Sequence, residues 1–187
     1  FAEIDRLGAI LDRFLSFARP QPLEFGDADL REVLADVQGL AAAHARSSSV
    51  AVAVADGPPV MVRGDREKLV QVVLNLVLNA VRATAGAAAS GGQARVDLSL
   101  REVARSGARF AAIEVADNGP GVPAELRERI FNPFFSTRPD GTGLGLAISA
   151  RIVEEHAGLI EVDDAPGGGA LFRVLLPEPA DHADPPA

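Results

Sequence analysis

The sequence predicts an α/β sandwich in which helices lie on one face of a mixed sheet. The apolar period switches back and forth between 3.6 and 2 along the chain, and no internal repeat imposes a simpler architecture. Composition agrees. The 187 residues are 48% hydrophobic and 24% charged, the balance of a globular domain rather than of a disordered or fibrous chain.

Taken in order, residues 3–19 place Ile4, Leu7, Leu11, Phe14 and Ala18 three or four apart, an a/d stripe on an amphipathic helix that Pro20 and Pro22 end. One helix cannot bury that stripe alone, so a second helix or a second chain is expected against it. Residues 23–26 read as a short strand, and Asp27 or Asp29 as the cap of a helix running to about residue 46. Segments 50–55 and 60–63 read as short strands around Gly57-Pro58-Pro59. A long helix is expected over 65–85, with Asp65 as N-cap, followed by an Ala/Gly/Ser loop over 83–93. Segments 95–103 and 110–116 form a hairpin-like pair. A short helix at 123–131, a helix at 144–156, strands at 159–163 and 170–176, and a disordered tail over 178–187 complete the chain.

Charge and residue usage exclude several classes of function. There are 26 acidic against 18 basic residues, a net charge of −8, the wrong sign for a protein that holds nucleic acid by its phosphates. Cysteine is absent, which removes disulfides, thiolate metal sites and cysteine nucleophiles. No apolar run approaches the roughly 20 residues of a membrane span, and no direct membrane contact is expected. The chain opens at Phe1 inside a helical pattern, which reads as a piece of something longer.

Three clusters carry chemistry. On the helix 65–85, Leu69, Val72, Val73, Leu76, Val77 and Ala80 share one arc, with Asn75, Asn79 and Arg82 along its flank. On spacing alone the two amides fit either loop support or a pocket wall, where an amide oxygen suits Mg²⁺ and a nearby cation suits phosphate. Asp117-Asn118-Gly119-Pro120-Gly121 follows an apolar strand, and by itself is also ordinary turn chemistry. Gly141-Thr142-Gly143-Leu144-Gly145-Leu146 runs straight into a helical pattern, where successive backbone N–H groups and the helix dipole favour an anion.

Together, N-L-V-L-N-A at 75–80, D-N-G-P-G at 117–121, F-N-P-F-F-S-T at 131–137 and G-T-G-L-G-L at 141–146 resemble, in order and spacing, the N, G1, F and G2 boxes of sensor histidine kinases. The resemblance covers residues 1–177 and implies a two-layer Bergerat-type ATP-binding sandwich over 21–177, shared with gyrase and the heat-shock chaperone ATPases. The short link between the last two boxes resembles the compact lid of nitrogen-regulation-type kinases. Residues 1–20 resemble the second helix of the family's dimerisation and phosphoacceptor hairpin.

The resemblance also implies roles. Asp117 accepts the adenine amino group, and Gly119 and Gly121 admit the base. Asn79 holds Mg²⁺ with Asn75 beside it, these two being the catalytic pair. Gly141, Thr142, Gly143, Leu144 and Gly145 hold the phosphates, joined by Arg82, Thr137 and Arg138. ATP and Mg²⁺ are the implied cofactors. Homodimerisation through the first helix and a response-regulator receiver domain are the implied partners, with no nucleic acid. A cytoplasmic location is implied by the need for ATP, whether or not the parent protein is anchored in the inner membrane.

Asn75 separates the relatives. The ATP-hydrolysing branches carry a glutamate there to activate water, and an amide is a poor general base, which favours a kinase over an ATPase. The alternatives are an ATPase of the same superfamily and a serine-directed anti-sigma-like kinase, the latter distinguished by label on serine. None of His44, His156 and His182 fits the family's phosphoacceptor pattern. All three are read as ordinary solvated side chains, and the acceptor helix is expected before Phe1. The chain alone is therefore expected to bind ATP without phosphorylating itself.

Overall fold

The computed structural model describes residues 22–88, 93–105, 107–138 and 141–178. The first predicted helix and the tail beyond 178 lie outside the described residues. Glu178 itself is held, its N–H donating to the Arg109 carbonyl at 3.1 Å and its carboxylate pairing with the Arg109 guanidinium at 2.8 Å.

The elements, in order, are β1 (Gly26–Asp29), α1 (Leu30–Ser47), β2 (Ala51–Val54), β3 (Met61–Gly64), α2 (Arg66–Ala88), β4 (Arg95–Arg105), β5 (Ala108–Asp117), α3 (Gly145–Glu155), β6 (Leu159–Asp164) and β7 (Ala170–Pro177). Five strands form a mixed sheet in the order β2-β4-β5-β7-β6, with β2 parallel to β4 and every other neighbour antiparallel. The strands flanking Gly57-Pro58-Pro59 do not pair with each other: β3 joins β1 in a separate two-stranded ribbon. The long α2 between β3 and β4 makes the parallel β2–β4 pair reachable, because parallel strands need a crossover.

Period and burial agree along each helix. α1 buries Leu30, Val33, Leu34, Val37, Ala41 and Ala45, and Asp29 caps it by accepting the Arg31 N–H at 2.8 Å. In α2 the whole predicted arc from Leu69 to Ala80 is buried, each full burial of a Leu or Val contributing about 1.5–3 kcal/mol. Asp65 caps α2 by accepting the Lys68 N–H at 3.1 Å. α2 lies over β4 and β5, flanked by α1 and α3, so all three helices share one face of the sheet. The two-layer expectation holds.

Four expectations need correction. The Ala-rich stretch after residue 83 continues α2 to Ala88 instead of forming a loop, because alanine is the strongest helix former and Thr84 Oγ1 bonds back to the Ala80 and Val81 carbonyls at 2.9 and 3.2 Å. Segment 123–131 is two separate 3₁₀ turns, Ala124–Leu126 and Arg129–Phe131, rather than one helix. Residues 66–85 reach a mean hydropathy of 1.2, long and apolar enough to cross a membrane by length and composition, although here their apolar arc is domain core. Finally, His156 is not solvated. It is 3% exposed, its Nε2 accepts the Asp65 N–H at 2.9 Å, and its Nδ1 donates to the Ile152 carbonyl at 2.7 Å. With both ring nitrogens occupied it serves as a structural brace between the start of α2 and the end of α3.

The helix-free face of the sheet carries a charge ladder. Glu114 accepts hydrogen bonds from Ser99 at 3.1 Å, Arg101 at 3.0 Å and Arg173 at 3.1 Å, and Arg173 also binds Asp163 at 2.6 Å. Burial alone would raise the Glu114 carboxyl; the bonds from Arg173, Arg101 and Ser99 outweigh it and hold the pKa below the ordinary glutamate value of 4.5. An acid whose folded pKa is depressed adds stability above its unfolded value and loses it as pH falls through the folded one. The urea midpoint of the chain should therefore drop as pH is lowered from neutrality through 4.5 and beyond. Glu114→Gln should flatten that part of the profile, and an unchanged profile would assign the acid sensitivity elsewhere.

Candidate active site

A cavity of about 910 Å³ opens between α2, the C-terminal end of β5, the loop before α3 and the start of β7. That volume is in the range of small-molecule sites. Three separate segments bring their polar groups to it.

The first is the flank of α2. Because the helix turns its 69–80 arc into the core, Asn75, Asn79 and Arg82 are left facing the cavity. The Asn75 amide is oriented from behind: its Nδ2 donates to the buried Ser149 hydroxyl of α3 at 3.0 Å. That leaves Oδ1 without a donor among the described residues. A Cβ at position 145 would lie 2.6 Å from Asn75 Oδ1, so glycine is what lets α3 start this close to α2. The Asn79 Oδ1 receives only a long contact from Arg82, 3.5 Å, among the described residues.

The second segment is the end of β5. Strand alternation sends Ala111, Ile113 and Val115 into the helix-facing core, and the next inward position is Asp117. This carboxylate is 5% exposed. Its Oδ1 accepts the N–H of Gly119 at 2.8 Å and of Ala170 at 3.3 Å, and Oδ2 has no protein donor among the described residues. Burial pushes the carboxyl above the ordinary aspartate range, only partly offset by those two N–H groups. A buried carboxylate with one oxygen unused is suited to a ligand N–H donor.

The third is the glycine loop. Gly141, Thr142, Gly143 and Gly145 line the cavity together with Thr137 and Arg138. α3 begins at Gly145 with no side-chain cap, so its first N–H groups are available to an anion. Leu144, by contrast, is 2% exposed and does not line the cavity; its carbonyl starts the helix by accepting the Ile148 N–H at 2.9 Å. Gly119 sits behind Asp117 rather than in the wall, and Gly121 lines it. Of the thirteen positions named from sequence, the structure gathers eleven around one opening.

Sequence reasoning missed Ser149 and the wall contributed by Ala170 and Phe172 of β7. The available signal for β7 was the Gly167-Gly168-Gly169 run immediately before it, of which the last glycine marks close backbone approach.

A profile of the histidine kinase-, DNA gyrase B- and HSP90-like ATPases matches residues 64–180. The chain belongs to this family. Among curated relatives, the sensor histidine kinase ZraS of Klebsiella oxytoca is 39% identical over 176 residues, covering 94% of this chain and 36% of that protein. Among solved structures, full-length ShkA in complex with AMPPNP aligns at a TM-score of 0.78 and 31% identity, over 94% of this chain and 37% of that one. The histidine kinase ThkA in complex with its response regulator TrrA aligns at 0.75 and 29% identity, over 95% of this chain and 49% of that one. The chain thus spans between about a third and a half of the length of these three proteins. The histidine kinase-like ATPase fold accounts for the mixed five-stranded sheet with helices on one face.

Proposed function

We propose that this chain is the ATP-binding catalytic region of a sensor histidine kinase. It would transfer the γ-phosphate of ATP to a histidine on a dimerisation domain, for relay to a response-regulator aspartate. The observation that carries the reading is the convergence of Asp117, Asn79 and the 141–145 glycine loop, from three distant segments, on one cavity.

Each group has a physical role there. The free Oδ2 of Asp117 accepts the adenine amino group and would repel guanine's carbonyl at the same place. The glycine N–H groups and the uncapped start of α3 hold the phosphates, with Arg82, Thr137 and Arg138 at the rim. Asn79 offers an amide oxygen that Arg82 approaches only to 3.5 Å, and so fits a hard cation such as Mg²⁺. That ion, when bound, neutralises phosphate charge. Asn75 is fixed by Ser149 and has no basic oxygen. Among the described residues, Asp117 is the only carboxylate lining the cavity, and it belongs to the base end. No group among them is placed to activate water, so the chemistry reduces to positioning the γ-phosphate for an acceptor brought from elsewhere.

The relatives' names support the same direction: ShkA binds AMPPNP, and ThkA pairs with a response regulator. Homodimerisation through residues 1–20 and a cytoplasmic site of action follow from the reading. The test is two-part. Adding a non-hydrolysable ATP analogue with Mg²⁺ should raise the melting temperature, by about 2.7 kcal/mol of stabilisation at a hundredfold excess over Kd. Phosphoryl transfer should then appear on histidine when an acceptor hairpin is supplied as a separate polypeptide. Absence of any shift at millimolar analogue would overturn the reading, and label on serine would move the assignment to a serine kinase.

A further inference from the structure

The turn before β7 makes contacts that no motif of the site accounts for. Gly167, Gly168 and Gly169 all adopt left-handed backbone, at φ +96°, +98° and +93°. Only the last is packed. A Cβ at 169 would lie 1.9 Å from the Asp117 carbonyl oxygen and 2.9 Å from Asn118 Cα, whereas a Cβ at 167 or 168 would meet nothing within 4 Å. From the other side, Gly121 (φ +77°) approaches so closely that its Cβ would be 3.2 Å from the Gly169 carbonyl oxygen. The next residue, Ala170, sends its N–H to Asp117 Oδ1.

We propose that the Gly169–Ala170 entry to β7 is a positioning element for nucleotide recognition: it pins the Asp117 carboxylate so that Oδ1 is occupied and Oδ2 alone faces the base. The proposal rests on the reading of this cavity as the ATP site. Its logic is geometric. A carboxylate with both oxygens free can rotate and accept from several directions, which weakens its choice between purines. With Gly119 and Ala170 donating to the same oxygen, the group has one orientation and one remaining acceptor. The bare backbone of Gly169 is required because any side chain there would displace the Asp117 peptide itself. The same two N–H groups also favour the charged form against the burial that disfavours it. Among the described residues, the other charged groups lining the cavity are Arg82 on α2 and Arg138 before the glycine loop, whereas the donors to Asp117 are the Gly119 and Ala170 N–H groups.

The wild-type chain provides the first test. In a pH titration followed by NMR without nucleotide, the Ala170 and Gly119 amide protons should shift with the same midpoint as the Asp117 carboxyl carbon. An Ala170 amide indifferent to that midpoint overturns the proposal. The second test compares two alanines that demand the same left-handed backbone. Gly168→Ala should keep affinity for a non-hydrolysable ATP analogue within about twofold. Gly169→Ala should weaken it roughly tenfold or more, move the Asp117 midpoint to higher pH, and shrink the preference for the ATP over the GTP analogue. Equal effects from both variants would make the turn merely structural and sink the idea. Should Gly169→Ala fail to fold, Ala170→Pro, which removes the N–H at the first residue of a strand, gives the same three readings. Loss of analogue binding by the wild-type chain would instead overturn the ATP reading, and stays separable because the amide titration uses no nucleotide.

Discussion

Asp117→Asn is expected to weaken binding of an ATP analogue by about 10–150-fold while leaving the nucleotide-free domain at least as stable. A buried hydrogen bond to a charged group is worth about 1.5–3 kcal/mol, which sets the range. Asparagine keeps an oxygen where Gly119 and Ala170 donate, at 2.8 and 3.3 Å, so its amino group must take the place of Oδ2. Two donors, the new amide and the adenine amino group, would then face each other. The stability half follows from the sign of the pKa shift. Burial holds the folded-state value above the ordinary one, so the charged carboxylate is the disfavoured form in the folded state. Its contribution favours the fold at low pH and is lost as pH rises through the raised value; at neutral pH a neutral isostere escapes that loss. Calorimetric titration with the analogue and a melting curve without it check both halves. Undiminished affinity would remove Asp117 from the site, and a clearly lowered apo melting temperature would show the carboxylate to be structural.

Much of this site was legible because its signals are local. Asn75 and Asn79 announce themselves as polar residues beside a 3.6-period apolar arc, and the arc's burial fixes which way they face. Asp117 interrupts a strand's alternation at an inward position, and the glycines at 141, 143 and 145 precede a helix. What escaped was set by contacts between distant segments. Ser149 looks like any helix serine until α2 and α3 come together and it receives the Asn75 amide. Ala170 contributes through a backbone N–H that no side chain advertises. The pairing of β2 and β3 into different sheets likewise depends on which edges are open, not on their own four residues. His156 read as a solvated side chain because the donor at Asp65 that occupies its ring is 91 positions away. The overrun of α2 past residue 83 is a different kind of miss: the alanines favoured helix all along, and the glycine and serine between them argued too strongly for loop.

Gly143→Ala is expected to cost at least tenfold in affinity for the ATP analogue with only a small loss of global stability. Position 143 sits at φ +66°, and its partner across the neck of the loop, Phe134, is itself a non-glycine residue at φ +66°. The two are tied by the Phe134 N–H donating to the Gly143 carbonyl at 2.9 Å. A Cβ at 143 would lie 2.3 Å from the Phe134 carbonyl carbon and 2.7 Å from its Cα. Neither neighbour can yield by rotating a side chain, because the new methyl meets backbone. The strands of the loop must part, and the N–H groups of the 141–145 segment lose the arrangement that would converge on phosphate. The left-handed backbone adds about 1–2 kcal/mol of its own for any residue with a Cβ. Gly107→Ala separates the two terms. Gly107 has φ +81° in the β4–β5 turn, and a methyl added there would meet nothing within 4 Å, so it should lose a similar increment of stability and no affinity. The core would stay intact in both variants, since it is built on residues such as Leu76, Val77 and Ile113 and includes neither glycine, and the melting temperature should fall by only a few degrees. If Gly143→Ala bound the analogue as tightly as Gly107→Ala, the glycine loop would be a structural turn, and phosphate would have to be held by Arg82, Thr137, Arg138 and the first N–H groups of α3.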